Sequence, residues 1–399
     1  VARKRILVFA PGTILKESDY YLPEHPEVVE RARFTPIALI NLQEKVLNKR
    51  RPDEVIALCT QKVREDVLSE IEADFDELGI DVKPLSVPDG KSEEELREIV
   101  KTLLHSIPPE CELLVDITHG LRSIPFLFSV AVQYLSFLRP SVTIEGLYYG
   151  MMSNGKGQLV DLQVFLDLMD WLYAVRVFQD TFLPLKLAQM MESVSAESKE
   201  AVCIKESLAE LGNIMELCLP IELAEAAAAL RQQLNTDLPE SVMSGVLLAD
   251  ELFDKVAELA SVFAPEGDRA HVPEVLDRKE IDRQVRVIDK YLEAGRLANA
   301  IGMMYEWVLT MIIYQNGDRA KWRTRKERDK AIRLRGSLEL PQMPNEAKER
   351  MRRLRNHLNH YGQQEPGADE QELIRDIDII RSDWELLKAV DEQAWKREP

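Results

Sequence analysis

Cysteine is scarce in this chain: Cys59, Cys111, Cys203 and Cys218 are the only four in 399 residues. They form no CxxC or Cys/His spacing, which excludes a disulfide scaffold and a zinc finger. They read as reduced core cysteines of a cytoplasmic protein. Long apolar runs are also missing. The stretch Ile6–Ala10 is too short to cross a bilayer and follows basic residues, so it reads as a strand rather than a signal peptide or a span, and no membrane partner is expected. No GxGxxG follows the first apolar run, which removes the fingerprint of a dinucleotide-dependent dehydrogenase. No GxxxxGK[ST] occurs, which argues against a P-loop NTPase. Internal repeats, low-complexity tracts and Gly-Ser linkers are absent as well.

What is present describes a globular protein of two or three domains, with 45% hydrophobic and 30% charged residues. The net charge of −18 argues against a surface that coats nucleic acid. Basic residues nonetheless crowd one tract, from Arg319 and Lys321 through Arg328, Arg333 and Arg335 to Arg350, Arg352, Arg353 and Arg355. A confined RNA-binding groove needs such a tract, and a solvated helix face would produce one too.

The first 164 residues alternate short apolar runs with helical patterns. Arg5–Ala10, Glu54–Thr60, Ile80–Leu85, Glu112–Ile117 and Val142–Gly150 are predicted strands. Val63–Leu78, Glu93–Ser106 and Phe126–Leu138 are predicted helices between them. This order predicts an α/β domain with a Rossmann-like, doubly wound, mostly parallel sheet, whose ligands bind beyond the carboxyl ends of the strands. From about Phe165 the strand signal stops and an all-α region follows. Its best internal break is Pro265–Asp277, so we expect a helical intermediate region over 165–282 and a further helical domain over 283–399.

Two clusters carry chemistry. Asp116-Ile117-Thr118-His119-Gly120-Leu121-Arg122-Ser123-Ile124-Pro125 leaves a strand, turns, and enters an apolar helix. Gly120 permits positive φ or close backbone approach, and Pro125 suits a first helical turn. Thr118, Ser123, His119 and Arg122 supply hydroxyls and donors beside a helix N-terminus, which together make a receptor for a phosphate or nucleotide. Gly12 and Thr13, after the first strand, belong to the same rim. The plainer alternative is a turn that only caps its helix.

The second cluster, Arg350 to Gly362, is predicted to be a helix capped by Asn345 and ended by Gly362. Arg352, Asn356 and His360 share one face, with Arg355 about 140° from His360. Arginine and histidine without a carboxylate pair or cysteine suit metal-free phosphodiester chemistry, in which an RNA 2′-OH attacks the adjacent phosphate. A solvent-facing basic helix is the competing account.

At both places the chain resembles the CARF–HEPN ribonucleases of type III CRISPR systems. The matching residues are Asp116-x-Thr118-His119-Gly120-x-Arg122 with Gly12-Thr13, and Arg355-Asn356-x-x-x-His360. The resemblance implies a dimeric sensor for cyclic oligoadenylate, with cyclic tetra-adenylate favoured, that activates paired domains cutting single-stranded RNA without a metal or cofactor. It assigns Gly12, Thr13, Thr118, His119, Gly120 and Arg122 to the messenger, and Arg355, Asn356 and His360 to cutting. Two other members of that world remain open: a ring nuclease that degrades the messenger, and a transcription regulator without nuclease activity. No compact helix-turn-helix is legible for the latter.

Overall fold

The computed structural model describes residues 3–120, 123–153, 155–195, 198–267, 269–335, 345–359 and 370–390. It divides into two compact units, Val1–Asp167 and Leu168–Pro399.

The first unit is a mixed sheet of eight strands: β1 (Lys4–Phe9), β2 (Ser18–Leu22), β3 (His25–Ala32), β4 (Glu54–Cys59), β5 (Val82–Ser86), β6 (Cys111–Asp116), β7 (Val142–Ser153) and β8 (Lys156–Asp161). Their order is β3-β2-β8-β7-β6-β1-β4-β5. β1 pairs in parallel with β4 and β6, and the pairs β4–β5, β6–β7 and β2–β8 are parallel too. β2–β3 and β7–β8 are antiparallel. The helices are α1 (Thr35–Leu47), α2 (Gln61–Asp66), α3 (Leu68–Asp76), α4 (Glu93–Ser106) and α5 (Ile124–Leu138).

Side chains alternate across the central strands. Leu7 and Phe9 of β1 join a core with α1 and α3, through Leu39, Ile71 and Phe75. Ile6 and Val8 join a second core with α4 and α5, through Ile99, Leu103, Phe128 and Leu135. Helices therefore cover both faces, and strands buried on both sides read as continuous apolar runs. That is why β1, β4 and β6 stand out in the sequence. Three strands were not anticipated: β2, β3 and β8 lie toward one margin and lack such runs. The edge strand β3 carries Glu27, Glu30 and Arg31, charges that discourage edge-to-edge pairing. At the opposite edge β5 contains Pro84, a residue tolerated there because its missing N–H costs no ladder bond. The helix expected over Val63–Leu78 is two, parted at Val67 (φ −136°, ψ −8°).

The second unit is helical. α6 (Gln163–Thr181) straddles the division, and α7 (Leu185–Met190), α8 (Glu192–Ser195), α9 (Lys199–Leu217), α10 (Pro220–Leu234), α11 (Glu240–Gly245) and α12 (Ala249–Ser261) follow. After the Pro265–Asp277 segment come α13 (Arg278–Glu293), α14 (Leu297–Asn316), α15 (Arg325–Arg335), α16 (Asn345–Asn359) and α17 (Glu370–Lys388). One continuous core runs from Trp171 to Val390. Buried Arg283 donates to Glu280 Oε1 and Oε2, both at 2.7 Å, and to the carbonyls of Phe263 and Pro220, so this interior charge is paired and its donors are used. α14 is long and apolar enough to cross a membrane by composition. Its Ile301, Met304, Trp307 and Met311 are instead spent on the core, where Trp307 meets Trp384 edge to face at 5.2 Å. The expectation of four core cysteines needs correction: Cys59 and Cys111 are buried, but Cys203 is exposed and Cys218 only half-buried.

Candidate functional site

The chain leaves β1 for β4 on one side and returns later to place β6 on the other. α1, the first helix after β1, packs on one face of the sheet, and α5, which follows β6, packs on the opposite face. Such a reversal falls at the carboxyl ends of β1 and β6, the usual place for a ligand in an α/β sheet. The Gly12 and Asp116–Gly120 segments meet there. Gly120 has φ +94°, and a Cβ on it would sit 3.0 Å from Ala10 Cβ and 3.2 Å from Ala10 O. A Cβ on Gly12 would lie 3.9 Å from His119 Cβ, so the two loops touch. Only glycine fits this crossing of Gly120 over the end of β1.

Thr118 is tied at both ends. Its backbone N–H donates to Asp116 Oδ1 at 2.8 Å, and its Oγ1 accepts from the Gly150 N–H at 2.7 Å. Gly150 itself is pressed against Thr35 and Thr118, where a Cβ would meet their Cγ2 atoms at 2.6 and 2.9 Å. Thr35 and Gly150 thus belong to the cluster, yet the sequence offered no sign of them, since Gly150 is brought there by β7 beside β6 and Thr35 by the start of α1. Thr13, next to Gly12 in the chain, is half-buried. Ser123 stands at the cap position of α5 but makes no side-chain cap bond, which leaves the first-turn N–H groups uncapped by that hydroxyl. Leu121 and Arg122 lie outside the described residues.

Three polar atoms in this cluster, Thr35 Oγ1, Asp116 Oδ2 and His119 Nε2, are buried without a hydrogen-bond partner among the described residues. Burial raises the Asp116 carboxyl above its ordinary value, opposed by the Thr118 N–H and by His119. The same desolvation lowers the His119 imidazole, opposed by the negative charge of Asp116. Orphaned interior polar atoms are costly, and a polar ligand would satisfy them. A separate groove of about 480 Å³ between α4 and α5, lined by Leu96, Val100, Leu104 and Tyr134, shares no residue with this cluster.

In the helical unit, α16 faces the core with Ala347, Met351, Leu354 and Leu358. Arg350 bonds to Asp383 Oδ2 at 2.6 Å, and Arg353 to Asp376 Oδ2 at 2.8 Å. These bonds fasten α16 to α17. Arg352 pairs with Glu349, while Lys321, Arg325, Arg328 and Lys330 meet carboxylates in their own neighbourhoods. Arg350 and Arg353 of the expected basic groove are therefore structural, held by the buried carboxylates of Asp383 and Asp376. Arg355 lies 4.6 Å from the centre of the Tyr305 ring and donates to Asn356 Oδ1 at 3.2 Å. His360 and Gly362 lie outside the described residues, as does any placement of His360 relative to Arg355.

No family model matches the chain. It is 25% identical over 142 residues to a CRISPR-associated protein of Methanocaldococcus jannaschii. That match takes in 35% of this chain and spans about a fifth of the relative's length (21%). Among solved structures it is similar to Enterococcus italicus Csm6 bound to cyclic hexa-2′-fluoro-hexa-dAMP, with 8% identity over 98% of this chain and 96% of that one. The TM-score is 0.38, a likeness too slight to bear on fold or function.

Proposed function

We propose that the chain is a metal-independent endoribonuclease of type III CRISPR defence, switched on by a cyclic oligoadenylate held at the strand-end cluster of the first unit. The observation that carries the reading is that cluster: loops after β1 and β6 pressed together at Gly120, with buried Asp116 Oδ2 and His119 Nε2 lacking partners among the described residues. The similarity to an archaeal CRISPR-associated protein supports the same setting. Gly12, Thr13, Thr118, His119, Gly120 and Arg122 contact the messenger in this reading. Burial raises the Asp116 carboxyl above its ordinary value and so disfavours the charge that would repel a phosphate.

Cutting belongs to the helical unit. The 2′-OH of the RNA attacks the adjacent phosphorus, the 2′-O–P bond forms, and the P–O5′ bond breaks. His360 moves the proton, Arg355 offsets the charge developing on the phosphate, and Asn356 orients Arg355 through its Oδ1. The products carry a 2′,3′-cyclic phosphate and a 5′-hydroxyl. The working unit is a symmetric homodimer, a reading supported by an apolar stripe on α5. Phe126 (72% exposed), Val130, Tyr134 and Phe137 recur there on adjoining turns and face solvent in the single chain.

The test is cleavage of single-stranded RNA in EDTA, with and without cyclic tetra-adenylate. Cleavage should require the messenger and vanish in His360→Ala and Arg355→Ala while messenger binding persists. Undiminished cutting by purified His360→Ala would overturn the assignment.

A further inference from the structure

The groove between α4 and α5 is built on fixed walls. Ile99 and Leu103 of α4 share a core with Phe128 and Leu135 of α5 beneath it. Arg139, just past α5, donates to the carbonyl of Ile107, just past α4, at 2.9 Å, which ties the two helix ends together. Leu96, Val100 and Leu104, one turn apart on α4, stay half-buried along the groove. At 1.5 Å per residue this apolar row is about 12 Å long. Leu127 and Tyr134 line the α5 side.

Basic residues follow the same period. Arg97, Lys101 and His105 each come one position after a member of the apolar row, and all three are exposed along the groove. Arg139 adds a fourth basic group to the lining. Among the described residues Glu93 is the single acid there, and its exposed pair with Arg97 is of a kind that costs little to exchange. Lys101 and His105 have no carboxylate partner among the described residues. Glu94, Glu95 and Glu98, the other acids of α4, do not line the groove. On a chain of net charge −18, this local excess of basic groups runs against the whole.

A preformed apolar row edged by evenly spaced basic groups complements a helix with apolar side chains at i, i+4 and i+7 and carboxylates on its flank. A phosphate backbone would use the basic groups and leave the apolar row in water. We propose that this groove is a docking site for an acidic amphipathic helix of a partner protein. Its apolar face lies on Leu96, Val100 and Leu104, and its carboxylates lie beside Lys101 and His105. The inference is independent of the ribonuclease reading. Of the groove only Tyr134 belongs to the α5 stripe read above as the homodimer surface, so the two surfaces adjoin but are distinct.

The test uses the full-length protein and a fluorescein-labelled helical peptide of about 18 residues, with leucine on one face and glutamate on the other. Fluorescence anisotropy should show saturable binding with a Kd of about 10 µM or tighter. A peptide with lysine in place of every glutamate should bind at least about tenfold more weakly. Lys101→Glu combined with His105→Glu, both on the surface, should weaken the acidic peptide by about tenfold and strengthen the lysine peptide. Leu104→Asn should weaken the acidic peptide by about the same factor, and Leu96→Asn serves if that variant does not fold. Carbodiimide should join a peptide carboxylate to Lys101, mapped by mass spectrometry. Affinity unchanged by the charge reversal, cross-links confined to lysines of α15, or no saturable binding up to about 200 µM overturns the proposal. Two further results also overturn it. A 2′-deoxy oligonucleotide that binds wild type more tightly than the peptide and is lost on charge reversal gives the groove to nucleic acid. Self-association that the reversal abolishes, without peptide binding, gives it to a second copy. No readout involves RNA cutting, so failure here leaves the ribonuclease reading untouched.

Discussion

At the level of single residues, the strand-end cluster makes sharp demands. Gly120→Ala would place a methyl group 3.0 Å from Ala10 Cβ in a backbone region that L-residues avoid. We expect a loss of about 2 kcal/mol or more in urea unfolding, along with loss of messenger binding. Thr118→Val keeps the shape of the side chain but removes the acceptor for the Gly150 N–H, which costs about 1–2 kcal/mol, while Thr118→Ser should retain most of the stability. His119 gives a pH signature. Its folded pKa lies below the ordinary 6.5, so the folded state binds fewer protons than the unfolded chain as the pH falls below that value. Its contribution to stability is therefore full above pH 6.5 and declines on acidification. Denaturation midpoints of wild type and His119→Gln should draw apart as the pH rises toward 6.5 and run parallel above it. A gap independent of pH across that window would show that His119 is not held neutral by burial. Asp116, raised rather than lowered, has the opposite sign from its ordinary 3.8 upward, and Asp116→Asn removes that separate branch.

Among the elements, α16 depends on α17. Asp383 and Asp376 are nearly inaccessible and hold Arg350 and Arg353. Asp383→Ala strands Arg350 with a weakened set of partners, and we expect a loss of about 3 kcal/mol in thermal or chemical unfolding. Arg352→Ala breaks only an exposed pair with Glu349 and should shift stability by less than about 0.5 kcal/mol. The same contrast explains what could be read from sequence. The tract from Arg319 to Arg355 has a basic look, but charge lettering does not reveal that Asp376 and Asp383, more than twenty residues on, claim part of it. β1, β4 and β6 were legible because two cores bury them on both faces. β2, β3 and β8 were not, because Ser18–Leu22, His25–Ala32 and Lys156–Asp161 each mix polar residues with at most three consecutive apolar ones. Thr118, His119 and Gly120 announced themselves as a turn between a strand and a helix. Thr35, Gly150 and Tyr305 did not, since their neighbours come from distant segments. The all-α reading beyond Phe165 was sound, and within it Gly295 (φ +70°) separates α13 from α14.

For the molecule as a whole, the apolar stripe of α5 bears on assembly. Phe126→Glu combined with Val130→Glu should turn a homodimer into monomers in sedimentation and abolish messenger-dependent cutting, with little effect on the melting of the isolated chain. A wild-type chain that sediments as a monomer under activating conditions would refute paired action. The sheet itself has a consequence for how the chain is made. β2 and β3 emerge early, yet β2 joins the rest of the sheet through β8, where Tyr21 and Gln158 are separated by 137 positions. A ribosome adding about 5–20 residues per second leaves that hairpin waiting for roughly ten seconds before its neighbour exists. During that interval Tyr20 and Leu22, buried in the finished protein, have no sheet to enter. The nascent first unit is therefore open to chaperones, and to mispairing, until residue 161 has cleared the exit tunnel.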